Sequence, residues 1–459
     1  MKLENRKYEE RAVANLRTDL ASHKRVLAVS PTGSGKTVIA ALLIGAEKRW
    51  RKVLWLAHRY ELVDQAYKTL TGLGVDAGIV MAQEETLRGD ARTNASARVQ
   101  VASVQTIAAR GVPDDIDLVV FDEAHRVMAD SYQEIAESCA GADVLGLTAT
   151  PCRADGRGLG EFFQFMRIVA QPSDLQADGY LAKPRTFSAP AGVLTEIEKG
   201  LQGATSSGGD YAPHSLAKAV DRSLLIGKVV SESIRIAPGV PKVVFACSVK
   251  HSKRIAKEFA AKGIAAEHVD GETQAADRER ILKQLSSGTI EVICNVDVLS
   301  EGWDLPSLGA VIVARPTKSV ARFLQMVGRV QRAHGEERPL VIDHGANVQR
   351  LDVLPGEDIV WQLSQGVIAD GDKARVRLCV SCGAVMECGK WVCSECNEEH
   401  EDQRREEEER IEIEAKLEEV TRAELASIRE RVERIAKENR ASKAWAQRVY
   451  QRLTGSVVQ

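Results

Sequence analysis

Residues 25–46, RVLAVSPTGSGKTVIAALLIGA, set three kinds of segment in a row. RVLAV (25–29) is a β-branched apolar run suited to a buried strand, and SPTGSGKT (30–37) turns at Gly33 and Gly35. The run from Lys36 onward has the composition of a helix. Strand, glycine turn and helix in that order form the setting of a phosphate-binding loop. Glycine lets backbone N–H groups turn inward around a phosphate, and the helix adds the positive end of its dipole. Lys36 would then reach the β- and γ-phosphates of a nucleotide and Thr37 would ligate Mg²⁺, with Pro31, Thr32 and Ser34 completing the cradle. Ser30 stands where the usual pattern has glycine, but it is small and no steric penalty is expected there.

The rhythm continues outward. KVLWLA (52–57), VQVAS (99–103), LVVFD (118–122) and VLGLTAT (144–150) are near-continuous apolar runs separated by helical patterns, which predicts a doubly wound α/β domain around a parallel sheet. It restarts at KVVFACS (242–248) and runs through AAEHVDG, VICNV, AVIVAR and PLVIDH (339–344), predicting a second domain of the same class. EKGLQGATSSGGDYAPHS (198–215) lies between them and reads as a loop or linker.

Composition agrees. The 459 residues are 44% apolar and 28% charged, close to globular averages, which excludes disordered, collagenous and membrane-spanning classes. The longest apolar stretches fall short of the ~18 residues a spanning helix needs, and MKLENRKYEE lacks a signal-peptide core, so a cytoplasmic protein is expected. Net charge is −3, and Glu398 to Arg440 carries about six more acids than bases, so any nucleic-acid surface must be local.

LVVFDEAH (118–125) places Asp122 and Glu123 at the end of an apolar strand, where parallel sheets hold ligands. Asp122 would hold Mg²⁺, and Glu123 would orient and deprotonate an attacking water. In QMVGRVQR (325–332), Gln325, Gly328 and Arg329 share a helical face and Arg332 follows one turn on. Such a helix can supply the positive charge that a site shared between two domains needs in its transition state.

The ordered series SPTGSGKT, LAHRYEL, VASVQTI, DEAH, LTATPCRADGRGL, SEGWDLPS and QMVGRVQR resembles the superfamily 2 helicases over about residues 1–350. Within them it is closest to the RadD-like DEAD/DEAH-box proteins of bacteria and phages. The resemblance implies two tandem RecA-like domains, 1–186 and 187–370, with ATP between them. It makes Arg329 and Arg332 arginine fingers and gives Gln325 a contact with the nucleotide or its water. Gly302 and Asp304 would contact the nucleotide, Trp303 would stack a base or pack in the core, and Thr148 and Thr150 would couple the DEAH segment to the moving domain. Arg6, Tyr8 and Glu9 match the adenine-reading segment, with glutamate where glutamine is expected. An ionised glutamate accepts hydrogen bonds but donates none. Strand contacts fall to Arg59, Ser103, Gln105, Thr106, Val249, His251, Asp270 and Gly271, groups that suit phosphate oxygens and carry no sequence information.

Two CxxC pairs, Cys379/Cys382 and Cys393/Cys396, are separated by ten residues. They predict a small zinc ribbon over 375–398 with one tetrahedral structural Zn²⁺. Cys388 is a fifth thiol, with an exchange against Cys393 left open, and RadD-like proteins also carry a cysteine module after the motor. Residues 399–459 predict a charged helical tail, which with the ribbon leaves room for a protein partner. The function expected is a nucleic-acid-dependent ATPase acting as a DNA helicase or translocase in repair, recombination or replication, with DNA preferred over RNA. An RNA helicase or remodeller and a non-catalytic scaffold built on ribbon and tail are the alternatives.

Overall fold

A computed structural model describes residues 6–80, 92–94, 96–189, 191–300, 308–332, 338–367, 377–386 and 390–400. In the tail it describes only positions 429, 430, 432–434, 437 and 446. Contacts divide the chain into 1–388 and 389–459. The expected contacts at Gly302, Trp303 and Asp304, the thiol of Cys388 and nearly all of the helical tail lie outside the described residues.

Seven strands make the first sheet: β1 (Arg25–Val29), β2 (Val53–Ala57), β3 (Ala77–Val80), β4 (Val99–Ser103), β5 (Leu118–Asp122), β6 (Asp143–Thr148) and β7 (Phe165–Ile168). All neighbours are parallel, in the order β3-β4-β2-β5-β6-β1-β7. The apolar runs are continuous because both faces are covered, and their residues divide between two cores with a period of two. Val26, Ala28, Val53, Trp55 and Val120 pack with the helices Lys7–Ser22, Lys36–Ala46 and Tyr60–Gly72. Leu27, Val29, Leu54, Val119 and Phe121 pack with Val104–Arg110 and Asp130–Ser138.

The chain then crosses to β8 (Arg185–Ser188), the edge of a second sheet. Next comes a segment that the sequence reads as a linker and the structure folds. A helix Ala191–Leu201, a hairpin of β9 (Ser206–Ser207) and β10 (Asp210–Tyr211), and a helix Pro213–Val220 enclose a small core of Val193, Ile197, Tyr211, Leu216 and Val220. The paired segments are two residues each, too short for any periodicity to show. Gly208 and Gly209, both at positive φ, turn the hairpin.

The second sheet adds β11 (Lys242–Phe245), β12 (Ala266–Val269), β13 (Val292–Asn295), β14 (Ala310–Val313) and β15 (Leu340–Asp343), in the order β12-β13-β11-β14-β15-β8, again all parallel. Past β15 the chain returns to the first lobe. Gln176 donates to the Gly356 carbonyl at 2.7 Å, the Ser173 hydroxyl to Asp358 at 2.6 Å, and the Gly160 N–H to the Leu363 carbonyl at 2.7 Å. Trp361 and Leu363 pack on the first-lobe core. Among the described residues no helix is long and apolar enough to cross a membrane.

Candidate active site

Parallel β1, β5 and β6 all deliver their carboxyl ends to one edge, so the loop after β1, the acids after β5 and the threonines after β6 converge. The Ser30 N–H donates to the Thr148 carbonyl at 3.1 Å. Gly33 and Gly35 sit at φ +85° and +82°, the left-handed region a turn of this kind requires, and Gly35 caps the helix Lys36–Ala46. Ser34 is fully enclosed, and its hydroxyl has no hydrogen-bond partner among the described residues. Lys36 Nζ donates to the carbonyls of Ser30 and Pro31, each at 3.3 Å. Burial lowers the Lys36 pKa, although Glu123 and Asp122 pull it the other way.

Asp122, buried at the end of β5, accepts the Glu123 N–H at 3.0 Å, and Glu123 takes a left-handed φ of 52°. His125 Nδ1 lies 3.4 Å from the Glu123 carboxylate, while its Nε2 lies 3.4 Å from the Gln325 side-chain amide of the second lobe. Gln325 thus meets the acidic segment through His125, which sequence reading did not single out. Two further contacts bring the helix Val320–Val327 and its C-terminal turn onto the phosphate loop. A Cβ on Gly328 would stand 2.8 Å from Thr32, so glycine allows that approach, and the Arg332 side chain lies against Gly33. The positive charges of Arg329 and Arg332 act on Lys36, pushing its pKa down alongside burial.

At the other end of the loop, the Tyr8 hydroxyl donates to the Ser34 carbonyl. Glu9 is buried, accepts the Arg6 N–H at 3.0 Å and has its pKa raised by burial. Tyr180 completes this corner: the Arg6 guanidinium stacks 4.4 Å over its ring, and the Tyr8 ring lies 5.5 Å away. No local signal in the sequence marks Tyr180. The Thr148 hydroxyl donates to the Thr150 carbonyl and accepts the Thr150 N–H, both at 3.1 Å, so it closes its own turn. The Thr150 hydroxyl is buried without a hydrogen-bond partner among the described residues.

The expected strand contacts divide. Gln105, Val249 and Gly271 are exposed. The Ser103 hydroxyl caps the helix that follows, accepting the Thr106 N–H at 3.0 Å and pairing with the Thr106 hydroxyl at 2.8 Å. Asp270 is tied into a local turn with Thr273 and lies 2.9 Å from His268. The structure does not bring the His251 side chain to the surface. Its Nδ1 is 3.1 Å from the Cys247 sulfur, its N–H is capped by Ser248, and burial lowers its pKa to about 4.

Arg59 reaches across to the second lobe, donating to the carbonyls of Val298 at 2.9 Å and Asp297 at 3.1 Å. Asp297 is held at a left-handed φ of 57° by Arg315, which binds both its carboxylate oxygens, and by Arg322 at 3.0 Å. The same Asp297 carbonyl accepts the Ser300 hydroxyl, and the Ser300 carbonyl accepts Arg329 Nε at 2.8 Å. A run of hydrogen bonds therefore joins Arg59 to Arg329. Arg278 and Glu61 add a pair between the lobes at 2.8 Å.

The two cysteine knuckles share one local geometry. Gly383 and Asn397, each following the second cysteine of its pair, have positive φ and donate back to the carbonyls of Cys379 and Cys393. The Cys379 and Cys393 N–H groups donate to the carbonyls of Ala384 and Glu398, both at 2.8 Å. The four sulfurs of Cys379, Cys382, Cys393 and Cys396 lie within 4.8 Å of one another. A tetrahedral zinc with ~2.3 Å bonds needs sulfurs roughly 3.8 Å apart, so this donor set fits the metal.

Residues 2–153 match the family described as the res subunit of Type III restriction enzymes, and residues 227–334 match the helicase conserved C-terminal domain. A 51.5 kDa protein of a Lactococcus phage (isolate 7-9) is 31% identical over 394 residues, covering 85% of this chain and 81% of the phage protein. The DNA 3'-5' translocase XPB2 of Sulfurisphaera tokodaii is 25% identical over 378 residues, covering 74% of this chain and 81% of that protein. The structure of the ATP-dependent Type ISP restriction-modification enzyme LlaBIII bound to DNA superposes with a TM-score of 0.56 at 17% identity. It covers 74% of this chain and 28% of that one, a likeness of fold. With the paired parallel sheets, it bears out two tandem RecA-like domains.

Proposed function

Because the chain belongs to the superfamily 2 helicases, ATP-hydrolysing motors that act on nucleic acid, we propose a DNA translocase or helicase that hydrolyses ATP between its two RecA-like lobes and serves DNA repair, recombination or replication. The observation that carries the site is the packing of the Gln325–Arg332 segment on the phosphate loop, Gly328 against Thr32 and Arg332 against Gly33. Parts from both lobes meet around one phosphate pocket, so turnover depends on closure.

In this reading the backbone N–H groups of Thr32 to Thr37 hold the phosphates and Lys36 neutralises the outer two. The orphaned Ser34 hydroxyl fits a site that awaits a polar ligand. Asp122 and Thr37 would hold Mg²⁺, which would supply Lewis-acid polarisation of the phosphates. Glu123, steadied by His125, orients the attacking water, and Arg329 and Arg332 face the charge that builds on the transferred phosphoryl group. Arg6, Tyr8, Tyr180 and Glu9 form the base corner. Arg59, Gln105, Val249 and Gly271 line the strand path, and the run from Arg59 to Arg329 ties strand to site. Cys379, Cys382, Cys393 and Cys396 hold a structural zinc.

The name of the Sulfurisphaera relative, a DNA translocase, supports DNA over RNA as the track. The test is the ATPase rate without polymer and with single-stranded DNA, duplex DNA or RNA, for the native chain and Lys36→Ala. Stimulation by DNA above RNA is expected and is lost in the variant. Native turnover no higher than that of the variant under all four conditions would sink the motor, and stimulation by RNA alone would replace DNA with RNA.

A further inference from the structure

The helix Val249–Ala261 buries His251, Ser252, Ile255 and Phe259 against the second lobe. Its outward face carries Lys250, Lys253 and Lys257, all exposed, the first with 78% of its side chain in solvent. At ~100° per residue these three lysines fall within an arc of roughly 60°. Arg254 borders the arc, and the exposed residues beside it, Val249, Ala260 and Ala261, are short. The first turn has no acid, and Glu258, the helix's one carboxylate, is only partly exposed.

These charges are largely uncommitted. Among the described residues Lys253 and Lys257 form no salt bridge, and the partner of Lys250 is Asp221 at 3.9 Å, whose carboxylate is already held by Arg254 at 2.5 Å. Of the two side chains on this helix that sequence expects to meet the strand, Val249 is exposed and apolar, and His251 is enclosed against Cys247. The positive charge that the helix offers to a polyanion therefore lies on the lysine ridge.

We propose that this ridge is a docking track for the phosphate backbone of DNA, an interaction surface outside the motifs. It rests on the nucleic-acid motor reading and extends the strand path along the flank of the second lobe. From Lys250 to Lys257 the helix rises ~10.5 Å, the axial length of about three phosphates of one strand. Lysines contact phosphates as mobile point charges and read no bases, so the track suits a protein that moves along its substrate.

The test is the salt dependence of duplex DNA binding by the full chain, compared with Lys250→Gln/Lys253→Gln/Lys257→Gln. Each phosphate neutralised contributes ~0.9 to the slope of log Kobs against log salt, so the triple variant should lose roughly 2–3 from that slope and bind on the order of 10²-fold more weakly at about 0.1 M salt. Lys253→Gln and Lys257→Gln alone should each lose about one, which keeps the test open if the triple variant folds poorly. A control trio, Lys24→Gln/Lys48→Gln/Lys52→Gln, removes the same charge at the amino ends of the first-lobe strands and should leave the slope in place. An unchanged slope in the ridge variants, or an equal loss in the control trio, overturns the track. A native chain that shows no salt-dependent DNA binding overturns the DNA-motor reading on which the track rests.

Discussion

Lys36 gives a prediction whose sign is opposite with and without nucleotide. Among the described residues its Nζ makes two long contacts, both to neutral carbonyls, and burial lowers its pKa despite the nearby acids. A lysine whose folded pKa is depressed costs stability in full below that pKa, and the cost fades as pH rises towards its unfolded value. Without a ligand the buried charge is therefore a liability, which a bound phosphate would offset. Lys36→Met keeps the length and removes the charge, whereas alanine would add a cavity. Without ligand the variant should be more stable by about 1 kcal/mol, a rise of roughly 2–4 °C in midpoint for a domain of this size. With ATP and Mg²⁺ at ~100 times Kd the native chain should gain ~2.7 kcal/mol and the variant little, so the two melting curves exchange places. Differential scanning fluorimetry over a nucleotide titration reads both arms. A lower midpoint for the ligand-free variant, or an undiminished nucleotide shift in it, refutes the reasoning.

Asp210 is buried and accepts from the Thr317 hydroxyl at 2.9 Å and the Lys318 N–H at 2.8 Å, with Arg315 and Arg322 within 3.6 Å. Asp210→Ala should cost about 3–5 kcal/mol in urea unfolding and Asp210→Asn less, while a loss under ~1 kcal/mol for alanine would show the hairpin undocked. Burial lowers His251 and His344 to about 4 and raises Asp343 to about 6. Between pH 4 and 6.5 the unfolded chain binds more protons at each histidine, so stability rises by up to ~3 kcal/mol apiece, while Asp343 opposes it by ~3 from its unfolded value up to pH 6. Urea midpoints should climb with pH across this window, and His251→Gln should flatten the climb; an unaltered slope counts against the buried neutral imidazole. Elemental analysis after preparation without chelator should find about one zinc per chain, and chelation should expose all four cysteines of the cluster to thiol reagents. A metal-free chain would remove the ribbon.

The turn after β1 and the acidic end of β5 were legible because their parts are local: Gly33 and Gly35 turn at positive φ, Lys36 opens the next helix, and Asp122 ends a buried strand. Most sheet strands were legible because a strand covered on both faces is mainly apolar, with Gln100, Lys242 and Asn295 among the polar exceptions. What stayed hidden is what depends on partners distant in sequence. Nothing around Tyr180 predicts that Arg6 will lie over its ring. The place of Arg59 follows from Asp297, whose backbone turns left-handed under the grip of Arg315 and Arg322. The segment 198–215 reads as a linker because its glycines and serines hide a hairpin whose single aspartate supplies the anchor.

The return of the chain to the first lobe after β15 has a mechanical meaning. Lys183 pairs with Glu357, and Gly356 lies against Pro184, so the outgoing and returning passages run side by side between the lobes. A single passage would be a swivel, free to twist and to bend alike. Two passages side by side resist torsion and yield to bending, as a flat spring does. In the motor proposed above, the lobes would therefore open and close as a swing about one axis, and a chain cut in the outgoing passage would still be joined to the first lobe through the packing of the returning one.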